Sequence, residues 1–177
     1  MLKVIDKHTG PAEISGILTL PWEIRQKGRF RTFTDAGEET GVFLPRGGVL
    51  REGELLQTEC GKVLQVRARP ERLTEARASD WLTFSRVCYH LGNRHVPLQI
   101  GELWVRFQPD HVLQEMVELL GLQTGSVEAG FNPEEGAYSG GHHHHHDTNT
   151  VGSMDFGQQR SQGTVSLSSV ITGHSHE

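Results

Sequence analysis

Hydrophobic periodicity changes once along this chain, at Arg69-Pro70-Glu71, and that change narrows the folds open to it more than any other feature. Before Pro70 the apolar residues come in short runs: Leu2-Lys3-Val4-Ile5, Ile14 to Leu20, Arg29 to Thr34, Val42-Phe43-Leu44, Glu54 to Gln57 and Lys62 to Ala68. Turn residues separate them, at Gly10-Pro11, Asp35-Ala36-Gly37, Pro45-Arg46-Gly47-Gly48 and Cys60-Gly61. Helical periodicity is absent from this half. Short strands at such spacing predict a small all-β sandwich or barrel over residues 1–70.

After Pro70 the pattern becomes mixed. Leu73 to Ala78 extends or crosses from the last strand, so that the first strand of this half is either Val63 to Ala68 or one just after it, and Ser79 or Asp80 then caps a helix running to Leu91. Trp81, Phe84, Cys88 and Leu91 fall on one apolar stripe, and Gly92-Asn93 supplies a left-handed stop. Val96 to Ile100 and Leu103 to Phe107 form a hairpin around Gly101-Glu102. A second helix runs from Asp110 to Gly121 with Leu113, Met116, Val117 and Leu120 on its core face, and Val127 to Phe131 is the last strand. The order β-α-β-β-α-β predicts a ferredoxin-like split βαβ over residues 71–138. The expected class is therefore α+β, with an all-β first domain, a ferredoxin-like second domain and a tail.

That tail is defined by what it lacks. Seven of the 39 residues from Ser139 to Glu177 are apolar, too few to offset the entropy of ordering them, so residues 139–177 read as a disordered, histidine-containing tail. The 138 residues before it suit one domain or two small ones of about 70 residues, the latter with marginal cores that oligomerisation would help. With 17 Lys+Arg against 22 Asp+Glu the net charge is −5, which disfavours a basic nucleic-acid surface. The sequence offers no membrane span and no signal-peptide core, so a soluble, cytoplasmic protein is expected. Cys60 and Cys88 are too far apart for a CxxC pair, and two cysteines cannot build a disulfide scaffold.

Eleven histidines are the chemical anomaly. Imidazole suits borderline divalent ions such as nickel, zinc and copper. His142, His143, His144, His145 and His146 form one block, and His174 and His176 close the chain. A purification tag normally sits at a terminus, whereas 31 further residues follow this block. His95 stands apart, just after the first helix of the second half. One imidazole cannot hold a metal, but beside a two-fold axis it meets its own copy and two half-sites make one. An ordinary loop histidine is the plainer reading of His95, as a solvated helix face is of His90. His111 opens the second helix, whose positive end disfavours imidazolium and keeps the ring available as a ligand. Enzyme readings have little support. No HExxH, GxSxG or P-loop occurs, and Cys88 and His90 point in different directions on one helix. The strands Val96 to Ile100 and Leu103 to Phe107 carry no RNP1-like pattern.

The stretch Cys88-Tyr89-His90-Leu91-Gly92-Asn93-Arg94-His95-Val96-Pro97-Leu98-Gln99-Ile100 resembles the signature of UreE, the urease accessory nickel metallochaperone family. So do Asp110-His111-Val112-Leu113, Glu135-Gly136-Ala137-Tyr138, Thr34-Asp35-Ala36-Gly37-Glu38-Glu39 and Phe43-Leu44-Pro45-Arg46-Gly47, so that the likeness spans nearly all of residues 1–138. The resemblance implies a partner-binding first domain and a metal-binding second domain that joins a homodimer. It implies Ni2+ at the dimer interface on His95, with extra capacity in His142 to His146, His174 and His176; Zn2+ or Cu2+ would bind the same donors. It further implies delivery to apo-urease together with its accessory proteins, including the accessory GTPase. Some relatives carry a histidine just before the Asp-His of the second helix, where this chain has Gln108-Pro109, leaving His111 alone there. The rival reading is a histidine-rich nickel, zinc or copper buffer with no defined client enzyme. A second rival, a hydrolase using a tail-bound metal, lacks the preorganised first shell that catalysis requires.

Overall fold

The computed structural model describes residues 1–134 of the chain. Its first half holds β1 (Leu2–His8), β2 (Ile14–Leu20), a single helical turn α1 (Trp22–Arg25), β3 (Arg29–Phe33), β4 (Glu39–Phe43), β5 (Leu55–Thr58) and β6 (Val63–Ala68). The strands form one six-stranded sheet in the order β2-β6-β5-β1-β4-β3, parallel at β2/β6 and β1/β4 and antiparallel elsewhere. Alternation along the strands turns Val4, Leu18, Leu20, Val42, Leu56, Leu64 and Val66 to one face, where they are fully buried together. The sheet curls so that its two edges meet. Asp35, in the turn after β3, donates its N–H to the Ile17 carbonyl at 2.9 Å, and its carboxylate accepts from the Thr19 N–H and hydroxyl on β2. This partial closure shields edge strands that would otherwise be open to foreign pairing.

The sequence reading contains no helix before Pro70, and the structure adds α1. One turn after Pro21 is too short to leave a 3.6-residue pattern.

The second half holds β7 (Pro70–Arg77), α2 (Trp81–Gly92), β8 (Gln99–Gly101), β9 (Trp104–Phe107), α3 (His111–Leu119) and β10 (Gln123–Gly130). The sheet order is β10-β7-β9-β8 with every neighbouring pair antiparallel, the arrangement of a ferredoxin-like split βαβ. Both helices cover one face, packing Phe84, Val87, Leu91 and Val117 against Ala76, Val105 and Phe107. The chain is α+β, as expected. A third cluster, Trp22, Leu73 and Phe131, ties α1 to the other face of this sheet.

Three local readings change. Trp81, the first residue of α2, is 59 % exposed with its ring edge-on to Phe84, while Val87, which the stripe omitted, is buried. The β8/β9 turn is Glu102-Leu103, with Leu103 at φ 57° and Gly101 paired to Trp104. Its register follows from the Trp104 indole lying on Gly101, where a Cβ would stand 2.0 Å from the ring. The third change concerns the end of α2 and bears on the metal site. The expected tail, 139–177, lies outside the described residues.

Candidate metal centre

The site begins with the way α2 is started and stopped. Asp80 has extended backbone and its carboxylate accepts the Thr83 N–H at 2.9 Å, which also holds its pKa below the ordinary aspartate range. Phe84, Val87 and Leu91 pull the helix onto the sheet. At the other end the expected left-handed stop at Gly92-Asn93 is not used, since Asn93 is right-handed at φ −62°. The left-handed residue is His95, at φ 55°. Its N–H donates to the Gly92 carbonyl at 2.9 Å while the Val96 N–H reaches the Leu91 carbonyl at 3.4 Å. That pair of bonds is a Schellman stop with histidine in the place glycine usually takes. Packing decides the register. Leu91 and Val96 belong to the same apolar cluster, and burying both sets the reversal between them.

His95 is therefore held at the carbonyl end of α2 by a fixed backbone, exposed, with no hydrogen-bond partner for its ring among the described residues. The negative end of a helix favours a cation. Arg94 takes part in the same cap, its guanidinium donating to the His90 carbonyl at 3.2 Å.

His111 is the first residue of α3, exposed, following Asp110, whose carboxylate accepts the Val112 and Leu113 N–H groups at 2.9 and 3.1 Å. His90 is half-buried, its ring edge-on to Tyr89 at 5.4 Å. Between α2 and α3 runs an apolar groove of about 420 Å³ lined by His90, Arg94, Val112, Glu115, Met116 and Leu119. Leu119 is 82 % exposed, Tyr89 66 % and Val112 58 %. This belt escaped the sequence reading because its residues sit on faces that periodicity assigns to solvent; adjacent exposed apolar residues were the available signal.

Among the described residues no three His, Cys, Asp or Glu side chains gather around a point where a metal ion could sit. His142 to His146, His174 and His176 lie outside the described residues. Cys88 is half-buried, and burial pushes its thiol up, which suits a packing residue and not a thiolate ligand. Chemically, then, the described residues offer at the end of α2 an exposed imidazole on a fixed backbone, following Arg94, which lines the apolar groove. Also among these residues, no helix is long and apolar enough to cross a membrane.

Comparison with known proteins covers both halves. The model of the UreE urease accessory protein N-terminal domain matches residues 2–69, and that of the C-terminal domain matches residues 71–176. The urease accessory protein UreE of Psychromonas ingrahamii is 51% identical over 153 residues, spanning 84% of this chain and 100% of that protein. Its counterpart in Alteromonas mediterranea is 53% identical over 125 residues, 71% of this chain and 81% of that one. The protein of the same name from Alkalilimnicola ehrlichii is 49% identical over 140 residues, 79% and 86% of the two chains.

Proposed function

This chain belongs to the UreE family of urease accessory proteins, and from that premise we propose that it is a cytoplasmic nickel metallochaperone working as a homodimer. Its role is that of a urease accessory protein and not of an enzyme. Two copies meet through the belt of Tyr89, Val112 and Leu119, bringing the two His95 rings together beside the axis to grip one Ni2+. Arg94 and Glu115 line the same groove and give it one charge of each sign, available for pairing across a two-fold interface. His142 to His146, with His174, His176 and His111 as further donors, add capacity and let ligands exchange one imidazole at a time. Such a site releases its ion to apo-urease and its accessory proteins, the GTPase among them, without a single costly step.

The observation that carries this reading is the left-handed, exposed His95 at the end of α2: packing of Leu91 and Val96 sets the reversal there, yet the position that glycine would fill without strain holds an imidazole. The test is His95→Ala, assayed for nickel bound per dimer and for urease activation in cells. Loss of the tight nickel and of most activation is the expected result. Unchanged activation in that variant, lost instead when the tail is deleted, would favour the metal-buffer reading.

A further inference from the structure

The chain passes from its first half to its second through Arg69 alone, the one residue between β6 and β7. The main apolar clusters of the two halves share no member: Val4, Leu18, Leu56 and Val66 belong to one, and Phe84, Leu91, Val105 and Phe107 to the other. A third cluster bridges them, where Trp22 and Val49 of the first half meet Leu73, Val127, Ala129 and Phe131 of the second. Two apolar side chains are too few to stop one domain from moving on another.

Polar groups supply the rest of the contact. The Trp22 N–H donates to the Glu71 carboxylate at 2.7 Å, and the Trp22 ring stands edge-on to Phe131 at 5.6 Å. Arg25, the last residue of α1, reaches furthest. Its guanidinium donates to the Leu50 carbonyl at 3.2 Å in the first half, and to the Asn132 side-chain oxygen at 3.0 Å and the Phe131 carbonyl in the second. The Arg25 carbonyl accepts the Leu50 N–H at 2.9 Å, so the arginine is fixed to its own half while it grips the other. The gripped segment is itself tied to the second sheet. The Asn132 N–H donates to the Gln99 side-chain oxygen at 3.2 Å, and the Glu134 N–H to the Leu98 carbonyl at 2.7 Å.

Arg25 is 1 % exposed, and its Nε has no partner among the described residues. Burial pulls its pKa down, against the opposing pull of the Glu71 and Glu52 carboxylates. A buried charge with an unsatisfied nitrogen is a costly way to fill space. What it can do, and an apolar side chain cannot, is fork. The planar guanidinium presents its N–H groups in fixed directions, so one side chain joins acceptors on two bodies in a single geometry.

We propose that Arg25 is an interdomain lock: its fork on Leu50, Phe131 and Asn132 holds the first half at one angle to the half that carries His95, with Arg69 as the pivot when the fork is lost. The two halves then meet any third protein as one surface. The lock needs no metal, so it stands apart from the nickel reading.

The experiment spin-labels the full chain at its native Cys60 in the first half and at Glu102→Cys in the second, both exposed, with Cys88→Ala to leave two sites. Mixing with excess unlabelled protein restricts the measured distances to those within one chain. With Arg25 present a single narrow distance distribution is expected. Arg25→Met should keep the secondary structure, read by circular dichroism, while broadening that distribution at least about twofold. Arg25→Lys keeps the charge but replaces the fork with one ammonium group, and should broaden it as well. Should Arg25→Met fail to fold, Asn132→Ala removes one of the fork's acceptors and must broaden the distribution in the same direction. The parent's distance and width in a folded variant would overturn the lock, as would a distribution already broad in the parent.

Discussion

A non-glycine residue in the left-handed region costs about 1–2 kcal/mol, and His95 carries that cost at a helix stop where glycine would be free of it. The two roles of this residue, backbone and ligand, are separable by substitution. His95→Gly relieves the strain and should leave thermal stability unchanged or raise it by up to about 1 kcal/mol, while removing the imidazole. Melting curves and nickel titration of the same sample check both halves; a large destabilisation would show that the ring itself packs. The sequence reading singled out His95 as the residue to watch but located the left-handed position at Gly92-Asn93. Glycine is a sound signal when nothing else competes. Here burial of Leu91 and Val96 on one core extends the turn by two residues and outweighs it.

At the level of elements, the termini of α2 and α3 follow local rules that a sequence displays openly. Asp80, one of the two caps expected for α2, and Asp110, where the second helix was expected to begin, each accept backbone N–H groups. The lowered pKa of Asp80 ties α2 to pH. A depressed folded-state value contributes stability that is present above the unfolded aspartate pKa of about 3.9 and is lost as pH falls through the folded value. Thermal midpoints measured between neutral pH and about pH 3 should therefore fall more steeply for the parent than for Asp80→Ala, which starts lower. Parallel curves would mean that the carboxylate adds nothing through its charge. Strand identity was legible for the same reason, since alternation and turn residues are local. The hairpin turn was not, because its register depends on the Trp104 ring lying over Gly101.

At the scale of the whole molecule, the exposed belt beside His95 makes a prediction that monomer stability cannot mimic. Leu119 is 82 % exposed in the single chain, so Leu119→Arg should barely alter its fold. In the proposed dimer the same change buries charge at the interface. Sedimentation equilibrium should show a shift to monomer, with loss of nickel bound between subunits; a dimer that persists unchanged would place the interface elsewhere. What the amino-acid order determined by itself is whatever short-range physics governs: strands, helix caps, the βαββαβ order and the imidazoles available as ligands. Tertiary structure alone decided which residue bends backward at the end of α2, which apolar side chains stay outside, and that Arg25 in the first half grips residues 131 and 132 in the second. Those outcomes depend on contacts between residues as much as 107 positions apart, where local pattern has no reach and packing chooses.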